Sequence, residues 1–162
     1  GVMEAALRTV ADVLTKKDLK DIEYKDVRGV EGIKEAEVEV AGMVIRVAVA
    51  HGGVNARKIM DLIKSGKKDY HFVEIMGCSG GCVNGGGQPY VKASIRNSGI
   101  DVRKLRAEAL YEEDKIKEVR KSHLNQEVQT LYKEFLGKPN SEKAHELLHT
   151  HYKKKEVFPV NK

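Results

Sequence analysis

An α/β lobe followed by an all-helical tail is the fold that the sequence predicts, and three observations carry it. A β-branched segment, an amphipathic helical segment and a further β-rich segment follow one another between residues 37 and 76, the order of a strand–helix–strand crossover. No strand pattern occurs from Asp101 onwards. The composition, 41% hydrophobic and 33% charged over 162 residues, is that of a globular chain of about one domain.

Residues 1–15 place apolar side chains at Val2, Ala5, Ala6, Val10, Val13 and Leu14, a helical spacing. In "EAEVEVAGMVIRVAVAHG", Val38 and Val40 alternate with Glu37 and Glu39, Ala41-Gly42 offers a turn, and Val44 to Ala50 is rich in β-branched residues. Two strands are therefore expected. After Gly52-Gly53, "VNARKIMDLIKSG" predicts a short amphipathic helix closed by Gly66. "DYHFVEIM" is the next strand, and it runs straight into a glycine-rich loop. The composition shifts near Gly99, which divides the chain into residues 1–99 and a helical module, residues 100–162. "DVRKLRAEALYEEDK", "NQEVQTLYKEFLG" and "NSEKAHELLHTHYKKK" are its three helical stretches, with Asn140-Ser141 offering an N-cap to the last. Their apolar faces are narrow (Leu105, Ala109 and Leu110; then Val128, Leu131 and Phe135). Such stripes predict a tail that wraps a larger body rather than a bundle with its own core.

The formal net charge of +5 comes from 29 basic residues against 24 acidic ones, and aromatics make up only 6%. No basic run alternates with stacking side chains, so a nucleic-acid partner is not indicated. The excess favours solubility and the approach of an acidic protein partner. Two cysteines cannot build a disulfide framework, which points to a reduced, cytoplasmic setting. No apolar run reaches the roughly 18 residues of a membrane span, and no signal-peptide pattern opens the chain. "GVMEAALRTV" is already helical in pattern at the first residue, so the chain reads as part of a longer protein.

Both cysteines sit in "EIMGCSGGCVNGGGQP", with Gly80 and Gly81 between Cys78 and Cys82, and Gly85 to Gly87 just beyond. Thiolates ligate structural zinc and iron–sulfur clusters, and glycine lets the backbone approach them closely. On spacing alone, a flexible turn carrying two incidental thiols is the equal alternative. A cluster or a tetrahedral zinc needs about four ligands, and the sequence has no further cysteine. "HELLH", His145 to His149, satisfies the H-E-x-x-H pattern, with Glu146 in the general-base position. The metal would still need a third protein ligand; Tyr152 and Lys155 stand where the metzincin pattern wants Gly and His, and Glu156 is the only later carboxylate. Leu147 and Leu148 read as packing residues, and Lys153 to Lys155 as a solvated helix end. "GGVNARK" and "VNGGGQP" match neither a P-loop nor a dinucleotide fingerprint.

The loop as a whole resembles the third signature of iron-only ([FeFe]) hydrogenases, E-x-M-x-C-x-x-G-C-x-x-G-G-G-Q-P. Glu74, Met76, Cys78, Gly81, Cys82, Gly85, Gly86, Gly87, Gln88 and Pro89 all match. "GVMEAALRT" and "VRGVEGIKEAEV" are similar to segments that follow the family's second signature. "LRAEALYEEDK", "RKSH" and "LYKEFLGKPNSEKAHELLHTHY" resemble the small-subunit module fused at its C-terminus, which accounts for "HELLH" with no zinc implied. Ser79 stands where many members have proline, and Leu124 and Gln126 vary a family turn. The resemblance implies that residues 1–99 form one lobe of the H-cluster domain, a small mixed sheet flanked by helices. It implies that Cys78 ligates the [4Fe-4S] cubane, that Cys82 ligates it and bridges to the diiron unit, and that Met76 packs against that unit. Gly81, Gly85, Gly86, Gly87 and Gln88 would shape the loop around the cofactor. The first two signature loops would precede Gly1, on the N-terminal remainder of the hydrogenase. A ferredoxin or another redox protein would exchange electrons with it, and the chain alone would be inactive. The alternative is a non-catalytic iron–sulfur binding or scaffold subunit that completes a cluster site on another chain.

Overall fold

A computed structural model describes residues 1–20, 23–29 and 31–155. The regular elements are α1 (Val2–Thr15), β1 (Ile33–Val40), β2 (Met43–His51), α2 (Gly53–Lys64), β3 (Phe72–Met76), α3 (Ala93–Arg96), α4 (Val102–Ile116), α5 (Gln126–Leu131) and α6 (Glu142–Leu148). The sheet runs β1-β2-β3. β1 and β2 form an antiparallel hairpin in which Val40 faces Met43. β3 returns parallel to β2 after α2, as the strand–helix–strand order predicts, and pairs His51 with Met76.

The central strand explains the architecture. "VAVA" at 47–50 is buried on both faces, so it reads as a continuous apolar run rather than an alternating one. Val47 and Val49 pack with Met3 and Leu7 of α1 and with Val27. Ala48 and Ala50 pack with Ile59 of α2, where small side chains let the helix come close. Each fully buried Met, Val or Ile here contributes about 1.5–3 kcal/mol relative to exposure.

The chain separates into two compact units, Gly1–Ser122 and His123–Lys162. In the first, α4 is fastened to α1 by charge rather than by a greasy stripe. Arg8, almost wholly buried, donates to both carboxylate oxygens of Asp114 at 2.8 and 2.9 Å and to Glu4 at 3.0 Å. Arg120 donates to the same Asp114 at 2.6 Å and pairs with Glu23. Buried Lys121 bridges Asp12 and Asp18, each at 2.7 Å.

The second unit buries Leu136 and Ala144. Ser141 caps α6 through its hydroxyl oxygen, which accepts from the Ala144 amide at 3.1 Å. The "NQEVQTLYKEFLG" stretch is helical as expected, in α geometry to Leu131 and in a wider π turn over Tyr132–Leu136. One helical expectation is corrected here. α6 stops at Leu148 because His149 takes an extended conformation, so Lys153 to Lys155 lie beyond the helix and not at its end. The short helix α3 carries no periodic signal of its own and was not expected. Glu156 lies outside the described residues.

Candidate metal centre at the Cys78–Gln88 loop

β3 delivers the loop at the carboxyl end of the sheet. Its last residue, Met76, is fixed by the Gly52 amide donating to its carbonyl at 2.8 Å. Two residues earlier, the Glu74 carboxylate accepts from the Met3 amide at 3.0 Å, satisfying one of the free donors in the first turn of α1. The Met76 side chain packs against the core cluster around Met3 and Val49.

From Cys78 the backbone closes three successive tight turns. The Gly81 amide donates to the Cys78 carbonyl at 3.0 Å, Asn84 to Gly81 at 3.1 Å, and Gly85 to Cys82 at 3.0 Å. Gly81 has φ of +85°, and a Cβ there would stand 3.1 Å from Met76 Sδ and 3.4 Å from the ring of buried His51. A Cβ on Gly85 would sit 3.2 Å from the Cys82 carbonyl oxygen and 3.5 Å from Cys78 Sγ. Gly81 thus leaves room for the loop to fold against Met76 and His51, and Gly85 leaves room beside Cys78. Gly86 and Gly87 border open space, and Gln88 is exposed. Cys78 and Cys82 are free thiols open to solvent. The fold therefore brings Met76, Cys78, Gly81, Cys82 and Gly85 together, and leaves Gly86, Gly87 and Gln88 on the outer rim.

Three neighbours were not anticipated from sequence. Arg106 of α4 donates to the carbonyls of Val83 at 3.2 Å and Pro89 at 2.6 Å. Arg103, one turn earlier, lays its side chain over Gly80, with its Cδ 3.0 Å from where a Cβ would be. His51 ends β2 behind Gly81. The arginine pair has a legible spacing, i and i+3 on one helix face, but a basic helix face ordinarily means solvent. Asn84, Gly85, Gln88 and the three arginines Arg96, Arg103 and Arg106 line a cleft of about 650 Å³ beside the loop.

The donor set fits half of an iron–sulfur cluster. Two exposed thiols on a glycine-cradled turn are suitable ligands, yet a cubane takes about four. Among the described residues no group of three or more His, Cys, Asp or Glu side chains is arranged to hold a metal ion. In "HELLH" the rings of His145 and His149 stack at 4.5 Å and 15°, with His151 edge-on to His145 at 5.8 Å.

Residues 1–86 match the model of the iron only hydrogenase large subunit, C-terminal domain, and residues 100–155 that of the iron hydrogenase small subunit. Iron hydrogenase 1 of Clostridium pasteurianum is 49% identical over 154 residues, covering 95% of this chain and 27% of that protein. The cytosolic iron-sulfur assembly component 3 of Rattus norvegicus is 31% identical, covering 94% of this chain and 30% of its own length. Among solved structures, a variant of [FeFe]-hydrogenase HydA1 from Chlamydomonas reinhardtii superposes with a TM-score of 0.72 at 36% identity, over 94% of this chain and 44% of that one. The chain thus spans between a quarter and a third of the length of these curated relatives. With its loop geometry and more than half its length in the large-subunit match, the chain belongs to the iron-only hydrogenase family.

Proposed function

We propose that the chain is the C-terminal part of an [FeFe]-hydrogenase catalytic subunit, with residues 1–99 as one lobe of the H-cluster domain and 100–162 as a small-subunit-like module. The observation that carries this reading is the turn itself: two free thiols, Cys78 and Cys82, on a loop whose glycines leave space for ligation, with Met76 beside them. When bound, the cluster with its diiron unit supplies the reversible oxidation of H2 and reduction of protons. Cys78 and Cys82 would hold the [4Fe-4S] part, and Cys82 would also bridge to the diiron unit. Met76 would present a soft, polarizable wall, already braced against the core. Gly81 and Gly85 keep the turn tight, while Gly86, Gly87 and Gln88 form its outer rim. The other ligands would come from the N-terminal remainder of the hydrogenase, and electrons from a ferredoxin or another redox partner in the cytoplasm.

The test uses the full-length protein. Cys82→Ala should abolish H2 evolution, because it removes the sole thiolate bridge to the diiron unit. Met76→Ala should lower the activity without abolishing it, since it removes packing and not a ligand. Substantial activity in Cys82→Ala would overturn the assignment. The likeness to an iron-sulfur assembly component supports a second reading, a non-catalytic cluster-binding or scaffold role. A full-length protein that takes up a cubane but evolves no H2 would favour it.

A further inference from the structure

We propose that α4 braces the ligand loop of the candidate metal centre, with Arg106 as a positioning residue. In this inference, which rests on reading Cys78 and Cys82 as cluster ligands, Arg106 clamps the two ends of the Val83–Pro89 segment and so fixes the direction of the Cys82 thiolate. Nη1 of Arg106 donates to the Val83 carbonyl at 3.2 Å and Nη2 to the Pro89 carbonyl at 2.6 Å. These acceptors bracket Gly85 to Gly87, so one planar fork closes the glycine run, the stretch with the most backbone freedom to lose. A lysine ammonium offers one nitrogen in place of two, so it would not reproduce a pair of bonds donated from separate atoms of a planar fork.

The clamp has a firm base. α4 is held to α1 through Asp114, which takes both nitrogens of buried Arg8. On the same helix the Tyr111 hydroxyl accepts from the Gly29 amide at 3.1 Å, and the Arg28 guanidinium lies over its ring at 4.8 Å. Arg103, three residues before Arg106, covers Gly80 at the other corner of the ligand turn. Both partners of Arg106 are neutral carbonyls, and among the described residues it forms no ion pair with a carboxylate. Its charge is therefore available to thiols that become anionic when they ligate metal. Val83 lies in the large-subunit match and Arg106 in the small-subunit match, so the two portions of the chain meet at this loop.

Two measurements test it. In the chain as it stands, hydrogen exchange at the Asn84 and Gly85 amides should quicken about tenfold in both Arg106→Leu and Arg106→Lys, while β2 and β3 keep wild-type protection. The lysine variant retains charge and helix propensity, so it reports even if the leucine variant does not fold. Wild-type loop exchange in folded Arg106→Lys would overturn the clamp. In the full-length protein loaded with the cubane alone, a chelator should extract iron several-fold faster from Arg106→Lys than from wild type. Loosened amides with unchanged iron release would overturn the link to Cys82. If the wild-type full-length protein takes up no iron, the ligand reading itself fails, and the exchange measurement still decides the clamp.

Discussion

A methyl group at residue 81 would have to share space with Met76 Sδ at 3.1 Å and the His51 ring at 3.4 Å, on a backbone with φ of +85°. Strain and crowding act together there, and neither neighbour is a loose surface chain: His51 is buried and Met76 is packed on the core. Gly81→Ala is expected to cost about 2 kcal/mol in urea unfolding of the chain. A methyl group on Gly86 would meet no atom within 4 Å, and the backbone there has no positive φ, so Gly86→Ala should stay within about 0.5 kcal/mol of wild type. Equal losses at the two positions would mean that the loop is not braced by Met76 and His51. The glycines of one motif thus separate into those the packing requires and those it leaves open.

Among the elements, α4 is tied to α1 through Asp114, which accepts from both Arg8 and Arg120. Asp114→Ala would take two hydrogen bonds from the buried Arg8 guanidinium, which keeps its bond to Glu4, and would release Arg120, an expected loss of about 2 kcal/mol read from the shift in denaturation midpoint. The hydrogen bond from Arg8, joined by one from Arg120, holds the Asp114 carboxyl well below its ordinary value of 3.8. A depressed carboxyl stabilises the fold fully above the unfolded value and loses that contribution as pH falls beneath it. Wild type should therefore lose stability between about pH 5 and pH 2 more steeply than Asp114→Ala, and the two melting curves should converge at the acid end. Parallel curves would show that the pair contributes little. This network also marks where legibility ends. β2 and the crossover could be read because 44–50 is rich in apolar β-branched residues and 54–63 spaces its apolar residues as a helix does. Cys78, Cys82 and Met76 stood out through the resemblance of their loop to a family signature, since spacing alone left a flexible turn with two incidental thiols as an equal alternative. Arg8 and Asp114 lie 106 residues apart, and a salt bridge leaves no period in sequence. Arg106 was hidden for the same reason: its acceptors are backbone carbonyls, which every residue possesses.

At the scale of the whole molecule, the ligand count and the loop's freedom point the same way. The chain carries two cysteines, both on one turn, and a cubane takes about four ligands. His145 and His149 stack on one another, and the metal-capable side chains among the described residues form no group of three. Without metal, the glycine stretch keeps conformational entropy that the Arg106 fork and local turn bonds oppose. The sheet and its two helices have their own apolar clusters and do not depend on that loop. The chain alone is therefore expected to fold its α/β layer, with circular dichroism showing mixed helix and strand and a cooperative melt, yet to hold no intact cluster and evolve no H2. Anaerobic purification followed by iron and acid-labile sulfide analysis decides between the outcomes. Iron and sulfide near four per monomer, as a cubane requires, would mean that the two thiolates are joined by ligands from the chain itself. Iron well below that level, restored when the chain is co-expressed with the N-terminal portion of a hydrogenase, is the result that half a donor set predicts.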